Sequence, residues 1–447
     1  MAANTDFKAG CIARACIAAW LLAIATPAFV HAQSAAASTS NVCSGTPPTG
    51  SAPSAGGVAT APLIVNAVSH VAIMEYEAWF GPDTGIAPQT AVTTCLQSKD
   101  MKAVGGGYDS TDPAVIVTHI HWLEQMGLDA VTLDLTNNVS CIFDGDDPAI
   151  IKAVCPDPRF RAQQVRIRRN DSHLYSAWTR SGTRLKIIPL LGGFDRYALT
   201  PDPYDPRHRS ALEKEADWFG ALMKDNPALS VIYRGKPLML VYLGTPIDPH
   251  REDRIVRMLQ ETGLDSRLTV KLIGGYLDSQ PAFWADPNRI PDGPIAIAPR
   301  YRFWSIVDRL NFWGAPPAPY YPTYNRIGAR IENMTASLAT AGQTGWYCEA
   351  ASVYCSDAAH RYCGEGYQNG CDPAVYGTLA EFMSYARALK PEFLILNQFN
   401  EFATPDEGND SNSNDDTEPT KQWSYSGLRA VIAEMRAYRK SVFAPSP

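Results

Sequence analysis

From Ala67 onward the chain alternates apolar runs of strand length with stretches of helical periodicity, and this alternation constrains the fold more than any other feature. The apolar runs fall at Ala67–Tyr76, Asp129–Leu135, Leu185–Leu191, Pro237–Leu243, Thr269–Leu277, Ile295–Tyr301, Gly345–Ser352 and Phe393–Phe399. Helical patterns lie over Pro113–Met126, Arg159–Ser181, Ser210–Lys224, Arg251–Thr262, Tyr324–Ala341, Pro373–Leu389 and Tyr425–Arg439. Strand and helix in turn build βαβ units, and βαβ units build a parallel sheet. Eight such strands over 62–447 predict an α/β fold, a single (β/α)8 TIM-like barrel with long loops. A doubly wound sheet is the alternative. It is disfavoured because no GxGxxG follows a strand and no GxxxxGK[ST] occurs.

The 447 residues suit one large domain with tails, and 45% hydrophobic residues can fill its core. A net charge of -7 offers no basic stripe for a nucleic-acid backbone. Lys8 and Arg14 precede the apolar run CIAAWLLAIA, and Val30-His31-Ala32 supplies small residues for cleavage, so 1–32 reads as a signal peptide. That run is too short to span a membrane and no second one appears, which predicts a secreted or periplasmic protein. Residues 33–61, rich in Ala, Ser, Thr, Gly and Pro, read as a flexible linker. Loss of Cys11 and Cys16 with the signal leaves eight cysteines, an even set suited to disulfides. Local spacing pairs Cys141 with Cys155 and makes two bridges among Cys348, Cys355, Cys363 and Cys371, leaving Cys43 for Cys95. A zinc cluster in the last four lacks the CxxC knuckle.

Polar and aromatic residues collect at the carboxyl ends of the expected strands, where a barrel builds its site. They include Glu75, Glu77 and Trp79 after the first strand, Asp134 and Asn137 after the second, Asp195 after the third and Tyr242 at the fourth. Arg300, Tyr301 and Trp304 follow the sixth, and Asn400 and Glu401 the last. Rings interleaved with carboxylates, amides and arginine describe a sugar-binding cleft. The last strand opens onto Glu401, Asp406, Glu407, Asp410, Asp415, Asp416 and Glu418. Glycoside hydrolysis needs two carboxyls, one to protonate the leaving oxygen and one to assist attack, and this loop can supply both.

Plainer readings compete at several positions. Asp112 before Pro113 is a helix N-cap by pattern, and Asp109 serves equally as a turn residue or a sugar ligand. His119 and His121 lie about 200° apart around one helix and cannot share a metal. Asp410, Asn412 and Asn414 alternate like a calcium loop, but Asp415 and Lys421 break the EF-hand pattern. No cofactor is expected to be required; a structural calcium site outside the EF-hand pattern is one reading of these oxygen donors, and a solvated acidic loop at Asp410, Asp415 and Asp416 is the preferred one. No GxSxG or HExxH motif is present, which sets serine-hydrolase and zincin chemistry aside.

The segment FNEF followed by EG and EPT resembles the signature of glycoside hydrolase family 99, the endo-α-mannosidases and endo-mannanases. GGYDSTDPAVIVTHIHWLEQMGLDAVTLDL is similar to that family's upstream motif, helix and second strand, and both motifs occur in the same order. The resemblance implies that Glu401 assists attack by the substrate's own 2-hydroxyl and that Glu407 is the general acid/base. Glu418 then matches the glutamate before proline. The spacing departs from the family: Glu401 and Glu407 are six residues apart where the family has three, and Asp406 competes for the second role. The expected function is hydrolysis of an oligo- or polysaccharide by Glu401 and Glu407. Trp79, Asp109, Asp134, Asn137, Asp195, Tyr242, Arg300, Tyr301, Trp304, Asn400 and Glu418 would contact the sugar. A non-catalytic carbohydrate-binding barrel and a calcium-dependent extracellular structural protein are the alternatives.

Overall fold

The computed structural model describes residues 39–41, 43, 45–48, 61–66, 68–82, 94–99, 101, 107–135, 139–143, 158–192, 206–242, 257, 260–275, 295–297, 303–306, 323–327, 330–337, 379–397, 399–400, 417–419 and 424–443. The expected signal segment, the expected strand Gly345–Ser352, most of the linker and the last four cysteines lie outside these residues. In chain order the strands are β1 (Thr39–Asn41), β2 (Leu63–Val65), β3 (Val71–Tyr76), β4 (Leu96–Ser98), β5 (Ala130–Leu135), β6 (Lys186–Gly192), β7 (Val231–Tyr233) and β8 (Lys236–Tyr242). They continue with β9 (Thr269–Gly275), β10 (Ile295–Ile297), β11 (Phe303–Ile306), β12 (Thr323–Ile327), β13 (Arg330–Ser337) and β14 (Phe393–Asn397). The α-helices are α1 (Pro113–Gln125), α2 (Val139–Phe143), α3 (Pro158–Ser181), α4 (Pro206–Asp225), α5 (Leu264–Arg267), α6 (Leu379–Leu389) and α7 (Ser426–Phe443).

The molecule is a mixed α/β structure around a largely parallel sheet. Eight strands pair in parallel in the order β11-β9-β8-β6-β5-β3-β14-β13. The end strands β11 and β13 also pack against one another. β12 runs antiparallel beside β13, and β7 antiparallel beside β8. The central strands β3, β5, β6 and β14 are buried on both faces, which is why they read as continuous apolar runs. One face joins Val71, Ile73, Ala130, Ile188, Leu190, Leu238, Leu240, Phe393 and Ile395 in a single cluster. The other presents Met74, Tyr76, Val131, Leu133, Ile187, Leu191, Leu394 and Leu396 to the helices, where Trp122, Leu174, Trp178, Phe219, Phe382 and Leu428 complete a second core.

Two sequence expectations are corrected. The segment expected as a helix over Tyr324–Ala341 is instead the strand pair β12 and β13, and β13 pairs in parallel with β14. Packing decides this: Ile331, Glu332, Asn333 and Met334 are all buried, on both sides of the strand, which one face of an amphipathic helix cannot achieve. Buried Glu332 is matched by Lys271 of β9 at 2.5 Å and by the Tyr233 hydroxyl at 2.8 Å. Of the expected sixth strand, Ile295–Tyr301, the described part is β10, which pairs with β12, and β11 takes the place beside β9.

Within the segment expected to be a linker, β1 pairs antiparallel with β4. Cys43 is joined to Cys95 by a disulfide that spans 52 residues, with Cα atoms 5.0 Å apart. Cys141 is also disulfide-bonded. Among the described residues no helix is long and apolar enough to cross a membrane.

Candidate functional site

Side chains along a strand alternate between faces, so parity fixes which residues share the inner face with Ile73 and Ala130. Glu75 lies two residues beyond Ile73, and Asp134 four beyond Ala130. Glu75 pairs in register with Thr132, so Glu77, two residues on, comes level with Asp134. Carboxylate oxygens of Glu75, Glu77 and Asp134 all lie within 4.8 Å of one another. Glu77 and Asp134 are only 1% and 4% exposed, and Glu75 is half-buried. The cluster stands at the carboxyl ends of β3 and β5, where parallel α/β sheets place their ligand sites.

The chain leaving β14 is tied to this cluster. Phe399 donates its N–H to the Glu75 carbonyl at 3.0 Å. The Asn400 side-chain oxygen accepts from the Glu77 N–H at 2.8 Å, and its amide nitrogen donates to the Glu77 carbonyl at 2.9 Å. That nitrogen also stands 3.0 Å from the Tyr108 hydroxyl. Asn400 is fully buried, so the clamp fixes the backbone immediately before Glu401 in the sequence. The chain returns to the same place, because the N–H groups of Thr417 and Glu418 both donate to the Phe399 carbonyl, at 3.0 and 2.8 Å.

Glu418 is buried behind the sheet. Its carboxylate accepts from the Tyr108 hydroxyl at 2.7 Å and from Thr94 Oγ1, and it lies 3.6 Å from His119 Nε2. His119 Nδ1 is in turn 2.9 Å from the Tyr76 hydroxyl. Burial, with the charge of Glu418 next, raises the pKa of both Tyr76 and Tyr108, so both remain hydroxyl donors. The network runs from α1 to Asn400 through buried side chains, hydrogen-bonded at each link except the 3.6 Å approach of His119 to Glu418.

Helices fix the rim. Asp112 caps α1, accepting from the Ala114 N–H at 2.9 Å with Pro113 in the first turn, as its pattern predicts. Asp109 accepts from the Thr111 N–H and hydroxyl and pairs with Arg166 of α3 at 3.3 Å, which makes it a turn anchor with an ionic partner. Asn170 of α3 donates to the Ala78 and Phe80 carbonyls and holds the segment that carries Trp79. Trp79 is itself buried, and its indole nitrogen makes no hydrogen bond among the described residues.

Two further carboxyls stand behind Asp134. Asp171 of α3 and Glu215 of α4 are each fully buried, and burial, followed by the charge of Asp134, raises both pKa values well above the carboxylate range. The Gly192 backbone partly offsets the shift at Glu215. Neither appeared among the sequence candidates. The signal was present: Asp171 shares the apolar stripe of Ile167, Leu174, Tyr175 and Trp178, and Glu215 that of Leu212, Ala216 and Phe219.

Of the sequence candidates, the structure brings Trp79, Asp109, Asp134, Asn400 and Glu418 to this end of the sheet. Tyr242 ends β8 and Trp304 lies on β11. Asn137, Asp195, Arg300, Tyr301, Glu401 and Glu407 lie outside the described residues. Glu75 and Glu77 had been noted only as polar strand-end residues, yet they form the tightest carboxylate group.

The fold and site together define a mixed α/β protein with a carboxylate cluster at the carboxyl ends of parallel strands. No protein-family model and no curated protein matches the chain. Among solved structures it is similar to an endo-α-mannosidase of glycoside hydrolase family 99 from Bacteroides thetaiotaomicron, in complex with Bis-tris propane. That match has 13% identity and a TM-score of 0.43 over 84% of this chain and 99% of the other. A second structure of the endo-α-mannosidase from the same organism matches at 14% identity and a TM-score of 0.40, covering 83% and 98%. A glycoside hydrolase-like protein matches at 12% identity and a TM-score of 0.38, covering 84% and 97%.

Proposed function

We propose that the protein is a secreted or periplasmic (β/α)8-barrel glycoside hydrolase acting on an oligo- or polysaccharide, with Glu401 and Glu407 as its carboxyl pair. The observation that carries this reading is the clamp of Asn400 onto Glu77. It fixes the backbone immediately before Glu401 at the carboxyl end of the sheet, beside Glu75 and Asp134. The parallel run of eight strands with packed ends supports a barrel, and the FNEF and YDSTDP motifs support a family-99-like site.

In this reading one carboxylic acid, Glu407, protonates the glycosidic oxygen as the bond breaks. Glu401 withdraws the proton of the substrate's 2-hydroxyl so that this oxygen attacks the anomeric carbon. Water then opens the resulting intermediate with the two roles reversed. An acid near other carboxylates keeps its proton at neutral pH, because a second charge so close is disfavoured. Tyr301 and Trp304 would stack on sugar faces, while Trp79, buried in the core, supports the site from behind rather than stacking on the sugar. Asp109, Asp134, Asn137, Asp195, Tyr242, Arg300, Asn400 and Glu418 would bind or frame its hydroxyls. No cofactor enters these steps.

The test is a hydrolysis and binding screen over mannans, α- and β-glucans and arabinans, run on wild type beside Glu401→Gln and Glu407→Gln. Sugar release by wild type, lost in both folded variants, supports the reading. Loss in Glu401→Gln alone moves the partner role to Asp406. Sugar binding with no release from any substrate replaces the hydrolase by a carbohydrate-binding barrel, the reading favoured by the six-residue glutamate spacing.

A further inference from the structure

We propose that Glu418 is a positioning residue that touches no sugar. Its buried carboxylate anchors a one-way chain of hydrogen bonds, through Tyr108 and Asn400, that sets the backbone leading into Glu401. The proposal rests on the hydrolase reading above, and it gives Glu418 a role other than the sugar contact that its place before Pro419 implies.

Burial rules out a direct contact. Glu418 is 2% exposed with its side chain fully covered, and Thr94, Tyr108 and His119 around it are buried as well. Both of its oxygens are engaged: Oε2 accepts from the Tyr108 hydroxyl at 2.7 Å, and Oε1 accepts from Thr94 Oγ1. No surface of the carboxylate is left for a sugar hydroxyl.

The direction of the chain is fixed from its far end. A backbone N–H can only donate, so the Glu77 N–H takes the Asn400 side-chain oxygen and turns the amide nitrogen the other way. That nitrogen uses its two hydrogens on the Glu77 carbonyl at 2.9 Å and the Tyr108 oxygen at 3.0 Å. The Tyr108 proton is therefore given to Glu418. Thr94 is ordered in the same sense, since its Oγ1 accepts from the Leu96 N–H at 3.2 Å and donates to Glu418. All donors converge on one acceptor, and aligned bonds of this kind strengthen one another in a water-poor interior. A carboxylate accepts at both oxygens, whereas an amide accepts at one.

The main chain of Glu418 holds the same peptide. Its N–H and that of Thr417 donate to the Phe399 carbonyl, and the Phe399 N–H donates to the Glu75 carbonyl. The Phe399 ring stacks on Tyr76 with centroids 5.7 Å apart and meets His119 edge-on at 5.1 Å. Side chain and backbone of Glu418 thus grip Phe399 and Asn400, the last two residues before Glu401 in the sequence. A displacement of about 1 Å at a reacting group can cost about 100-fold in rate.

The experiment is steady-state hydrolysis by wild type, Glu418→Gln and Tyr108→Phe, below their melting temperatures. The substrate is the polysaccharide that wild type cleaves fastest among mannans, α- and β-glucans and arabinans. The expected result is a fall in kcat of at least about tenfold in both variants, with KM within about twofold of wild type. Tyr438→Phe removes another buried hydroxyl, one that donates to the Pro391 carbonyl at the opposite end of the sheet, and should keep wild-type kcat and KM. A raised KM in Glu418→Gln makes it a sugar ligand and overturns the proposal. So does wild-type kcat in Tyr108→Phe, which also decides the matter where Glu418→Gln does not fold. An equal loss of kcat in Tyr438→Phe overturns it too, because lost stability and not position would then be the cause. Wild type that releases no sugar overturns the hydrolase reading and this proposal with it. In every other outcome the wild-type rate shows that reading intact, so the two failures are told apart.

Discussion

Asp171 and Glu215 hold carboxyls where water cannot reach, and the sign of the effect on stability follows from linkage. Each has a folded pKa raised above its unfolded value, so its contribution is fully present below the ordinary carboxylate range and is lost as pH rises toward the folded pKa. Wild-type stability should fall above the carboxylate range by up to about 1.4 kcal/mol per pH unit for each such group. Asp171→Asn should remove one of these slopes, which urea unfolding at a series of pH values will measure. An unchanged slope would place the proton elsewhere. Tyr108 joins Glu418 to Asn400, so Tyr108→Phe leaves a buried carboxylate short of a donor. A loss of about 1.5–3 kcal/mol in the same unfolding assay is expected. Asp112 was legible in sequence because a cap needs only its own helix. The Glu418 network was not, since its partners Thr94, Tyr108 and His119 lie hundreds of residues away and only the fold brings them together.

At the scale of elements, the strands buried on both faces were the legible ones. β3, β5, β6, β8 and β14 appear within a few residues of their sequence positions because continuous apolar runs have few other uses. β13 was hidden by its polar residues: Arg330, Glu332 and Asn333 obscure the apolar pattern, and Lys271 from a distant strand is what makes a buried Glu332 tolerable. The acid loop was legible by composition alone, while the meeting of its two ends at the Phe399 carbonyl depends on tertiary hydrogen bonds. β1 is a short edge strand, and its attachment to β4 rests on the bridge from Cys43 to Cys95. In the chain-entropy account a closed loop of this length is worth about 4 kcal/mol, with about 2–4 kcal/mol typical in practice. The double substitution Cys43→Ser with Cys95→Ser should lower unfolding stability by that amount. Proteolysis near residues 39–48 should accelerate with it, and unchanged stability would show that strand pairing alone secures the segment.

Over the whole molecule, a parallel sheet with both faces covered leaves its strand ends as the place where polar groups can gather, and the amino and carboxyl ends gather different ones. Near the start of β13 and β14, Glu332 and Glu392 are answered by Lys271, Arg234 and Arg330, so charge is balanced within the protein. At the carboxyl ends, carboxylate oxygens of Glu75, Glu77 and Asp134 lie within 4.8 Å of one another, and the Asn400 clamp holds the chain beside them. In the proposed reading the carboxyl end is the one that meets the sugar, while the paired charges at the other end serve stability. The most direct test of that division is the rate of glycosidic bond hydrolysis by Glu401→Gln against wild type, on the best substrate of the glycan screen. The account predicts a fall in kcat/KM of at least about 100-fold with the melting temperature unchanged. A folded Glu401→Gln protein that hydrolyses within a few-fold of wild type would contradict it.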